Sequence, residues 1–425
     1  MKPKFLVPDR WTGMYAAAVA FLTYMLIFGY RKSFTVCTFD EEEFAGLSFK
    51  TAMVISQVLG YLAAKIYGIR YIAELKRKGR DRSIFLLVGI AWLSWLLFAT
   101  IPSPWNLIFL FTNGFPLGML WGIIFSYVEG RRSTDFIGAA LAVSFIFSSG
   151  FIKTVGGWLI LQFHISEWWV PFATGAIFSI PLVLMVFLME HIPVPNQQDI
   201  ELRKQRLPMS PADRSSLVKK FFPGLAAAIL IYCFATIFRD IRDNFSADMW
   251  KELGFIDKPA IFSQTETPIT IIILIMIGSM VLIKNNRIAF QLTHFFMLLG
   301  FVIAGGSAWL FLNGSIAPLV WMICTGLGLY MVYIPFNAVY FERLIAAFGI
   351  TGNVGFLIYL ADTFGYIGSV GVLLAKEVFK VEVNWVEFFS TSVIVLSIIG
   401  VGLTVFTAIY FHKKSLQINA GLEKS

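Results

Sequence analysis

Residues 24–34 read YMLIFGYRKSF and end an apolar run that begins at Trp11. A membrane-spanning helix needs about 20 mostly apolar residues, and this run is long enough. Arg31 lies within it, although an arginine at the centre of such a helix costs roughly 2.5–3.5 kcal/mol even on insertion scales. Because a charge in that position usually faces water or a partner, the sequence predicts a functional role for Arg31.

The composition indicates a polytopic helical membrane protein. Only 14% of the 425 residues are charged and the mean hydropathy is +0.74, whereas a soluble protein has about 25% charged residues. The basic residues are scattered through short loops, which argues against nucleic-acid binding. The three cysteines and four histidines are far apart in sequence. We therefore expect no disulfide framework, no metal site and no cofactor.

Hydropathy predicts twelve spanning helices in an all-α fold. A polar, proline-containing stretch at 191–222 is predicted to be a cytoplasmic linker between two six-helix bundles, 1–190 and 223–412, and residues 413–425 a cytoplasmic tail. The predicted spans lie near 11–35, 48–69, 83–101, 105–128, 136–162, 168–190, 223–243, 266–283, 287–312, 316–340, 349–375 and 389–411.

The orientation follows from Lys and Arg, which are enriched in cytoplasmic loops. With both termini cytoplasmic, 23 of these residues fall in the inner segments and five in the outer loops. We therefore expect a multi-pass protein of the inner (plasma) membrane, without a cleaved signal peptide. Six basic residues remain, all in or beside apolar segments: Arg31, Lys32, Lys65, Lys153, Arg239 and Arg242.

The two halves carry weak signs of an internal repeat, as many transporters do. Motifs of one half recur at corresponding places in the other half, with nearly constant offset. The matched pairs are Tyr24 and Arg31 with Tyr232 and Arg239, KTVG at 153–156 with DTFG at 362–365, and Asn113, Gly114 and Glu129 with Thr325, Gly326 and Glu342.

The repeat predicts that Arg31 lies opposite Arg239, and Lys153 opposite Asp362, across a pseudo-two-fold axis. Arginine forks bind phosphate or carboxylate oxygens in pairs. Like charges that share a buried site disfavour one another unless a counter-charge is present. We therefore expect a small anionic substrate, phosphate or a phosphorylated metabolite, in a cavity lined by spans 1, 5, 7 and 11.

At these residues the chain resembles the organophosphate:phosphate antiporter family of the major facilitator superfamily, whose members exchange glycerol 3-phosphate or hexose phosphates for inorganic phosphate. FGYRKSF at 28–34 is similar to the family's aromatic-x-x-Arg-Lys-Asn-Phe, KTVGG at 153–157 to His-Asn-Val-Gly-Gly, and FGYIG at 364–368 to Phe-Gly-Tyr-Leu-Gly. The resemblance implies the major facilitator fold. It also implies that Arg31 and Arg239 bind phosphate and that Lys65 and Lys153 take part.

Two residues depart from the family pattern. Lys153 stands where the family has a histidine, which makes the site more basic and puts a histidine-based protonation step in doubt. Asp362 introduces an acid that is able to pair with Lys153 or Arg239. We interpret the chain as a divergent relative whose substrate differs from the usual ones.

Each candidate residue also has a plainer interpretation. Lys65 lies near the inner end of its span, where a membrane anchor is an equal alternative, and Lys153 with Asp362 could be a structural ion pair. The predicted substrate-binding residues are Arg31, Lys65, Lys153, Arg239, Tyr24, Tyr30, Tyr232 and Tyr366. The predicted coupling or ion-pair residues are Asp362 and Lys153, and the predicted gate residues are Glu129, Arg131, Arg132, Glu342, Arg343, Arg242 and Asp243.

The sequence thus favours a secondary transporter in the lipid bilayer that exchanges an organic, phosphate-bearing anion for inorganic phosphate by alternating access. A transporter-like sensor of a phosphorylated metabolite remains an alternative. A proton-coupled transporter of another anion, with Asp362 as proton carrier, is a third. We expect a monomer without enzymatic activity, because no nucleophile and base or metal-ligand pattern is present.

Overall fold

The computed structural model describes residues 9–40, 42–74, 79–128, 134–194, 211–255, 257–348, 354–378 and 384–422. These residues are almost entirely helical, as expected when apolar segments satisfy their backbone hydrogen bonds internally. The helices are α1 Asp9–Lys32, α2 Phe49–Glu74, α3 Arg80–Thr100, α4 Ile108–Val128, α5 Thr134–Phe163, α6 Val170–Glu190, α7 Pro211–Glu252, α8 Ala260–Leu282, α9 Asn286–Leu312, α10 Pro318–Pro335, α11 Phe341–Ala347, α12 Val354–Val378 and α13 Trp385–Leu422.

Each predicted span coincides with helical residues among those described, and in span 10 these are α10 and the segment 336–340 that follows it. By length and hydropathy, ten of the described helical segments could cross a membrane. Helices α2 and α12, at predicted spans 2 and 11, are of spanning length but do not belong to these ten. They carry Lys65 and Asp362, two charged residues of the predicted site.

Two helices differ from the predicted spans. Helix α7 begins at Pro211, inside the predicted linker, and continues to Glu252, well past the predicted end at 243. In span 10 the α-helix gives way after Pro335 to a π-helical segment, Phe336–Tyr340. A two-stranded antiparallel hairpin, Glu43–Phe44 with Leu47–Ser48, lies in the first predicted outer loop.

The chain forms two compact units. Unit 1 comprises Met1–Arg203, Asp243–Thr270 and Leu373–Glu382, and unit 2 comprises Lys204–Arg242, Ile271–Val372 and Val383–Ser425. This division differs from the predicted bundles at 243–270 and 373–382, and the two-bundle arrangement itself stays a prediction.

Within unit 1, α2 packs against α4, and α1 packs against α5 and α6. Glycines allow the α2–α4 approach: an added Cβ at Gly60 would lie 2.3 Å from the backbone oxygen of Phe111, and one at Gly114 would lie 2.3 Å from that of Gln57. Small residues at such interfaces let membrane helices approach closely. Within unit 2, α9 packs against α10 and α13.

Candidate functional site

The first candidate feature, in unit 1, is a pair of cations beside one aromatic ring. The guanidinium carbon of Arg31 lies 4.1 Å from the centre of the Tyr61 ring, and the Lys65 ammonium lies 5.9 Å from the same centre. Both distances are within the range of cation–π attraction. We call Arg31, Tyr61 and Lys65 the Tyr61 cluster, which brings together two of the predicted substrate-binding residues.

Lys153 belongs to a second, more deeply buried group of unit 1. Its ammonium donates to the Asp243 carboxylate at 3.0 Å, to the Asp243 carbonyl at 2.5 Å and to the Ser149 hydroxyl at 2.9 Å. Lys32 donates to Asn244 at 2.5 Å and lies 3.6 Å from the other Asp243 oxygen. Lys153 is only 2% exposed. We call Lys32, Ser149, Lys153, Asp243 and Asn244 the Asp243 network.

The length of α7 explains why the prediction for Asp243 was incomplete. The sequence placed Asp243 at the end of a span, as a gate residue beside Arg242. In the structure the helix continues, and its later charged residues meet lysines and acids of unit 1. Lys50 donates to Asp248 at 2.6 Å, and Lys251 pairs with Asp40. The charged residues at and after the end of predicted span 7 therefore pair with residues that are distant in sequence.

Unit 2 contains an arginine in a comparable aromatic setting. The guanidinium carbon of Arg239 lies 4.1 Å from the centre of the Tyr333 ring. Its Nη2 donates to the carboxylate of Asp240 at 2.5 Å. The Ser369 hydroxyl donates to the other Asp240 oxygen at 3.1 Å. Arg239 therefore lies in a local ion pair as well as over a ring.

Asp362 lies in the same part of unit 2. The hydroxyl of Tyr232 donates to its carboxylate, and the Asn337 amide donates to that hydroxyl at 3.3 Å. The Tyr232 and Tyr333 rings are stacked with centres 5.3 Å apart. We call Tyr232, Arg239, Asp240, Tyr333, Asn337 and Asp362 the Tyr333 cluster.

The π-helical segment positions Asn337. A π-helix widens one turn of an α-helix and occurs frequently at functional sites. Here it begins directly after Pro335, which lacks a backbone N–H and so weakens the regular helix. The Asn337 amide also donates to the carbonyl of Tyr333, at 3.4 Å. This wide turn therefore carries one of the polar groups of the Tyr333 cluster.

The other predicted tyrosines are buried in packing positions. Tyr24 is 3% exposed and packs on Phe145 with ring centres 5.4 Å apart. The Tyr30 hydroxyl donates to the Gly175 carbonyl at 2.8 Å, which ties α1 to α6. Tyr366 is buried in unit 2. A ligand role for these three residues stays a prediction.

The predicted gate residues fall into two groups. Glu129, Arg131 and Arg132 lie outside the described residues. Arg242 is buried and donates to the Met322 carbonyl at 3.1 Å. Arg343 donates to Asn286 at 2.6 Å, and Glu342 lies half-buried beside it in the first turn of α11. The arginine contacts link helices within unit 2, and a gating role stays a prediction.

Sequence reasoning missed several members of these clusters. Tyr61 precedes Lys65 by four residues in one helix, so the two share a face, and this spacing was an available signal. Asp240 is adjacent to Arg239 in sequence. Ser149 likewise precedes Lys153 by four residues in α5. Tyr333 and Asn337 gave no sequence signal, because only tertiary packing brings them to charged partners. In the part of the chain that the structure describes, no group of His, Cys, Asp and Glu could hold a metal ion.

Solved structures of transporters resemble most of the chain. A bacterial homologue of the human lysosomal transporter Spinster, in an inward-facing unoccupied conformation, matches at TM-score 0.61 and 12% identity, covering 96% of this chain and 99% of the other. The nucleoside transporter NupG matches at 0.61 and 13%, covering 94% and 100%. The peptide transporter POT in complex with alafosfalin matches at 0.61 and 13%, covering 95% and 99%.

This likeness confirms the predicted fold class, an all-α membrane protein with the major facilitator fold. Residues 33–414 match the profile of DUF5690, described as a family of unknown function. The chain belongs to this family. A search of curated proteins finds no match to the sequence.

Proposed function

We propose that the protein is a secondary transporter of a small organic anion, with phosphate as the anionic group and inorganic phosphate as the exchanged ion. The proposal places it in the inner membrane with both termini cytoplasmic. Its ligands for the anion are Arg31 and Arg239, assisted by Lys65. The observation that carries the proposal is the convergence of Arg31 and Lys65 on the Tyr61 ring.

Two cations beside one ring, within a bundle of apolar helices, form a local concentration of positive charge. Cation–π attraction contributes about 0.5–2 kcal/mol per pair, less than the cost of removing a charge from water. We infer that an anionic ligand adds to the compensation that the protein contacts of these two cations give. Such intramembrane charges generally mark substrate or ion pathways.

Arg239 offers a separate argument. Its Nε atom is buried and has no hydrogen-bond partner among the described residues, although Nη2 is bound to Asp240. A buried donor without a partner is unfavourable, and a phosphate oxygen is a strong acceptor for an arginine fork. The resemblance of FGYRKSF and KTVGG to the organophosphate antiporters supports phosphate as that group.

The same charges suggest why transport would be exchange. Binding an anion neutralises guanidinium and ammonium groups that apolar surroundings disfavour. The loaded protein can then change conformation more easily than the empty protein. Obligate exchange requires that the loaded protein change conformation readily and that the empty protein do so slowly.

Exchange in proteoliposomes tests the proposal. Vesicles loaded with phosphate and containing the full chain should take up labelled phosphate. Arg31→Lys and Arg239→Lys should each lower the rate at least tenfold, because lysine lacks the planar fork that binds two oxygens. Arg287→Lys, which alters an exposed arginine at the start of α9, is the matched control and should exchange normally. Full exchange by both site variants would contradict the proposal.

A proton-coupled mechanism is the second candidate, favoured by the position of Asp362. This carboxylate, in predicted span 11, accepts a hydrogen bond from Tyr232, and acids within membrane spans serve as proton relays in transporters. In that case an inward proton gradient should drive uptake without internal phosphate. Asp362→Asn should abolish this gradient-driven uptake, while any phosphate exchange persists.

A further inference from the structure

Arg31 lies at the end of α1, where a helix leaves carbonyl groups without partners of its own. Helix α1 ends at Lys32 and passes into a 3₁₀-helical turn, Ser33–Val36. The last four carbonyls of an α-helix lack a partner within the helix, and those of Tyr30 and Arg31 are among them. A buried carbonyl without a hydrogen bond is unfavourable. Donors from other helices are therefore needed at this point.

Three buried side chains of unit 1 supply these donors. Gln57 Nε2, in α2, donates to the Arg31 carbonyl at 2.7 Å. Asn113 Nδ2, in α4, and Trp95 Nε1, in α3, donate to the Tyr30 carbonyl at 3.0 and 2.5 Å. Gln57 Nε2 also donates to Asn113 Oδ1 at 2.9 Å, which joins two of the three. Connected polar groups in a buried site rigidify one another when their hydrogen bonds are made.

Helix α2 holds Arg31 at two points. Gln57, Tyr61 and Lys65 follow one another at four-residue intervals, so they share one face of α2. Gln57 binds the backbone of Arg31, and the Tyr61 ring centre lies 4.1 Å from its guanidinium carbon. That carbon also lies 5.8 Å from the centre of the Phe28 ring. The backbone bond and the ring contacts together restrict where the guanidinium can point.

The pair Asn113–Gly114 of the predicted repeat gains an explanation here. Gly114 lets α4 approach α2, because an added Cβ would lie 2.3 Å from the Gln57 backbone oxygen. The matched residue in unit 2 is Thr325, whose hydroxyl bonds to another hydroxyl of that unit at 3.2 Å. Arg239 lies well inside α7, so its carbonyl accepts from the helix itself. The amide thus occurs in the half whose arginine ends its helix, and threonine in the half whose helix continues.

We propose that Gln57, Trp95 and Asn113 are positioning residues of the anion site. They fix the end of α1 through the carbonyls of Tyr30 and Arg31, and thereby orient the Arg31 guanidinium. This inference rests on the proposed function, in which Arg31 binds the phosphate. A guanidinium binds two oxygens in one orientation, because its donors form a rigid planar fork. Loss of the network should therefore weaken phosphate binding, although the three side chains act only through Arg31.

Exchange kinetics test the assignment, with inorganic phosphate as the probe. Initial rates in phosphate-loaded proteoliposomes, measured over a range of external phosphate, give kcat and KM. Gln57→Met keeps an unbranched side chain and removes the amide. We expect it to raise KM at least fivefold and to change kcat less than threefold. Ser56→Ala is the matched control, because it removes a side-chain hydrogen bond of α2 to the Leu107 carbonyl; it should leave both constants unchanged.

A double-variant cycle distinguishes positioning from a merely structural role. A lysine ammonium is a point charge with rotatable donors and needs no fixed plane. In an Arg31→Lys background, Gln57→Met should therefore change KM less than twofold. Trp95→Phe, which keeps a ring and removes a donor to the Tyr30 carbonyl, is the second variant if Gln57→Met fails to fold. Its KM should rise at least threefold, again only when Arg31 is present.

The outcomes are distinguishable. An unchanged KM in Gln57→Met, or an equal rise in KM in both backgrounds, would overturn the positioning role. A loss confined to kcat would do the same. Each of these results leaves the proposed function intact, because the unaltered protein still exchanges phosphate. Absence of phosphate exchange by the unaltered protein would overturn the proposed function and the positioning role together.

Discussion

The Tyr61 cluster and the Tyr333 cluster share one geometry and differ in charge. In each, an arginine carbon lies 4.1 Å from the centre of a tyrosine ring. The second neighbour of the Tyr61 ring is Lys65, whereas that of the Tyr333 ring is Tyr232. In the Tyr333 cluster, Arg239 and Tyr232 each donate a hydrogen bond to a carboxylate. The position of an arginine over a ring therefore does not by itself define a ligand, because the charges around the arginine differ between the two clusters.

A second difference concerns how deeply the Lys153–Asp243 pair and the Arg239–Asp240 pair are buried. The side chains of Lys153 and Asp243 in unit 1 are 2% and 10% exposed, and those of Arg239 and Asp240 in unit 2 are 14% and 15% exposed. Removing one partner of a buried pair leaves an uncompensated charge, which is far more costly than losing an exposed pair.

The largest expected effect tests this difference. Lys153→Met should destabilise the protein by up to roughly 3–5 kcal/mol, because Asp243 would lose its closest cation and keep Lys32 at 3.6 Å. Arg239→Met should cost less, since the Arg239–Asp240 pair is more exposed. Thermal unfolding of the purified variants measures both. The double variant Lys153→Met with Asp243→Asn should recover part of the loss. A Lys153→Met protein that melts like the unaltered one would contradict the prediction.

The next largest effect on stability is expected at Gly114 and Gly326, two glycines that the predicted repeat matches. A Cβ at Gly114 would lie 2.3 Å from the Gln57 backbone oxygen, whereas one at Gly326 would meet the end of the Arg242 side chain at 2.5 Å. Backbone cannot move aside as a side chain can. Gly114→Ala should therefore cost about 1–3 kcal/mol, and Gly326→Ala less.

Gly89→Ala is the control for these glycines. Nothing lies within 4 Å of its added Cβ, and alanine favours a helix over glycine by about 0.5–1 kcal/mol. Its melting temperature should rise or stay unchanged. If Gly326→Ala proves as destabilising as Gly114→Ala, the two positions are equally tight and this part of the comparison fails.

The smallest effect comes from the exposed pair of unit 1, Asp40 with Lys251. Burial alone would raise the pKa of Asp40, but hydrogen bonds from Lys251 and Thr38 outweigh it and lower the pKa. Because the pKa of Asp40 is lower in the folded state, its pairing stabilises the folded protein at pH values above the ordinary pKa of a carboxylate. This stabilisation is lost as the pH falls through the pKa of Asp40 in the folded state. The two side chains are 53% and 41% exposed, so we expect about 0–1 kcal/mol after screening by solvent.

Melting curves across acidic pH measure this contribution. The difference between the unaltered protein and Asp40→Asn should be present at neutral pH and decrease as the pH falls below about 4. Added salt should shrink it, because salt screens exposed charges. A difference that grows as the pH falls would reverse the sign and refute the assignment.

Much of the fold could be predicted from the sequence, because apolar runs of spanning length have few alternatives to helices. The end of α7 could not be predicted. Its charged residues looked like a loop, whereas in the structure they are helical and pair with lysines and acids distant in sequence.

The candidate site was predictable only in part. Arg31, Lys65, Lys153, Arg239 and Asp362 stood out because charge is rare in apolar segments. Their immediate partners did not stand out, since Tyr61 and Tyr333 are ordinary residues in such segments. Lys153 was expected opposite Asp362, and within unit 1 it binds Asp243 instead; its relation to Asp362 stays a prediction.

The wide turn at Phe336–Tyr340 also has a consequence for how this chain can be aligned with others. Each residue of an α-helix turns the chain by about 100°, and a π-helical turn holds one residue more than an α turn. A helical wheel drawn from Pro318 onward is therefore out of phase by one position at Glu342 and Arg343. Deleting one residue between 336 and 340, with restoration of a regular helix, would therefore leave Arg343 on its present face, toward Asn286. An alignment to a regular helix that places no gap in this segment would assign the wrong face to every position that follows it.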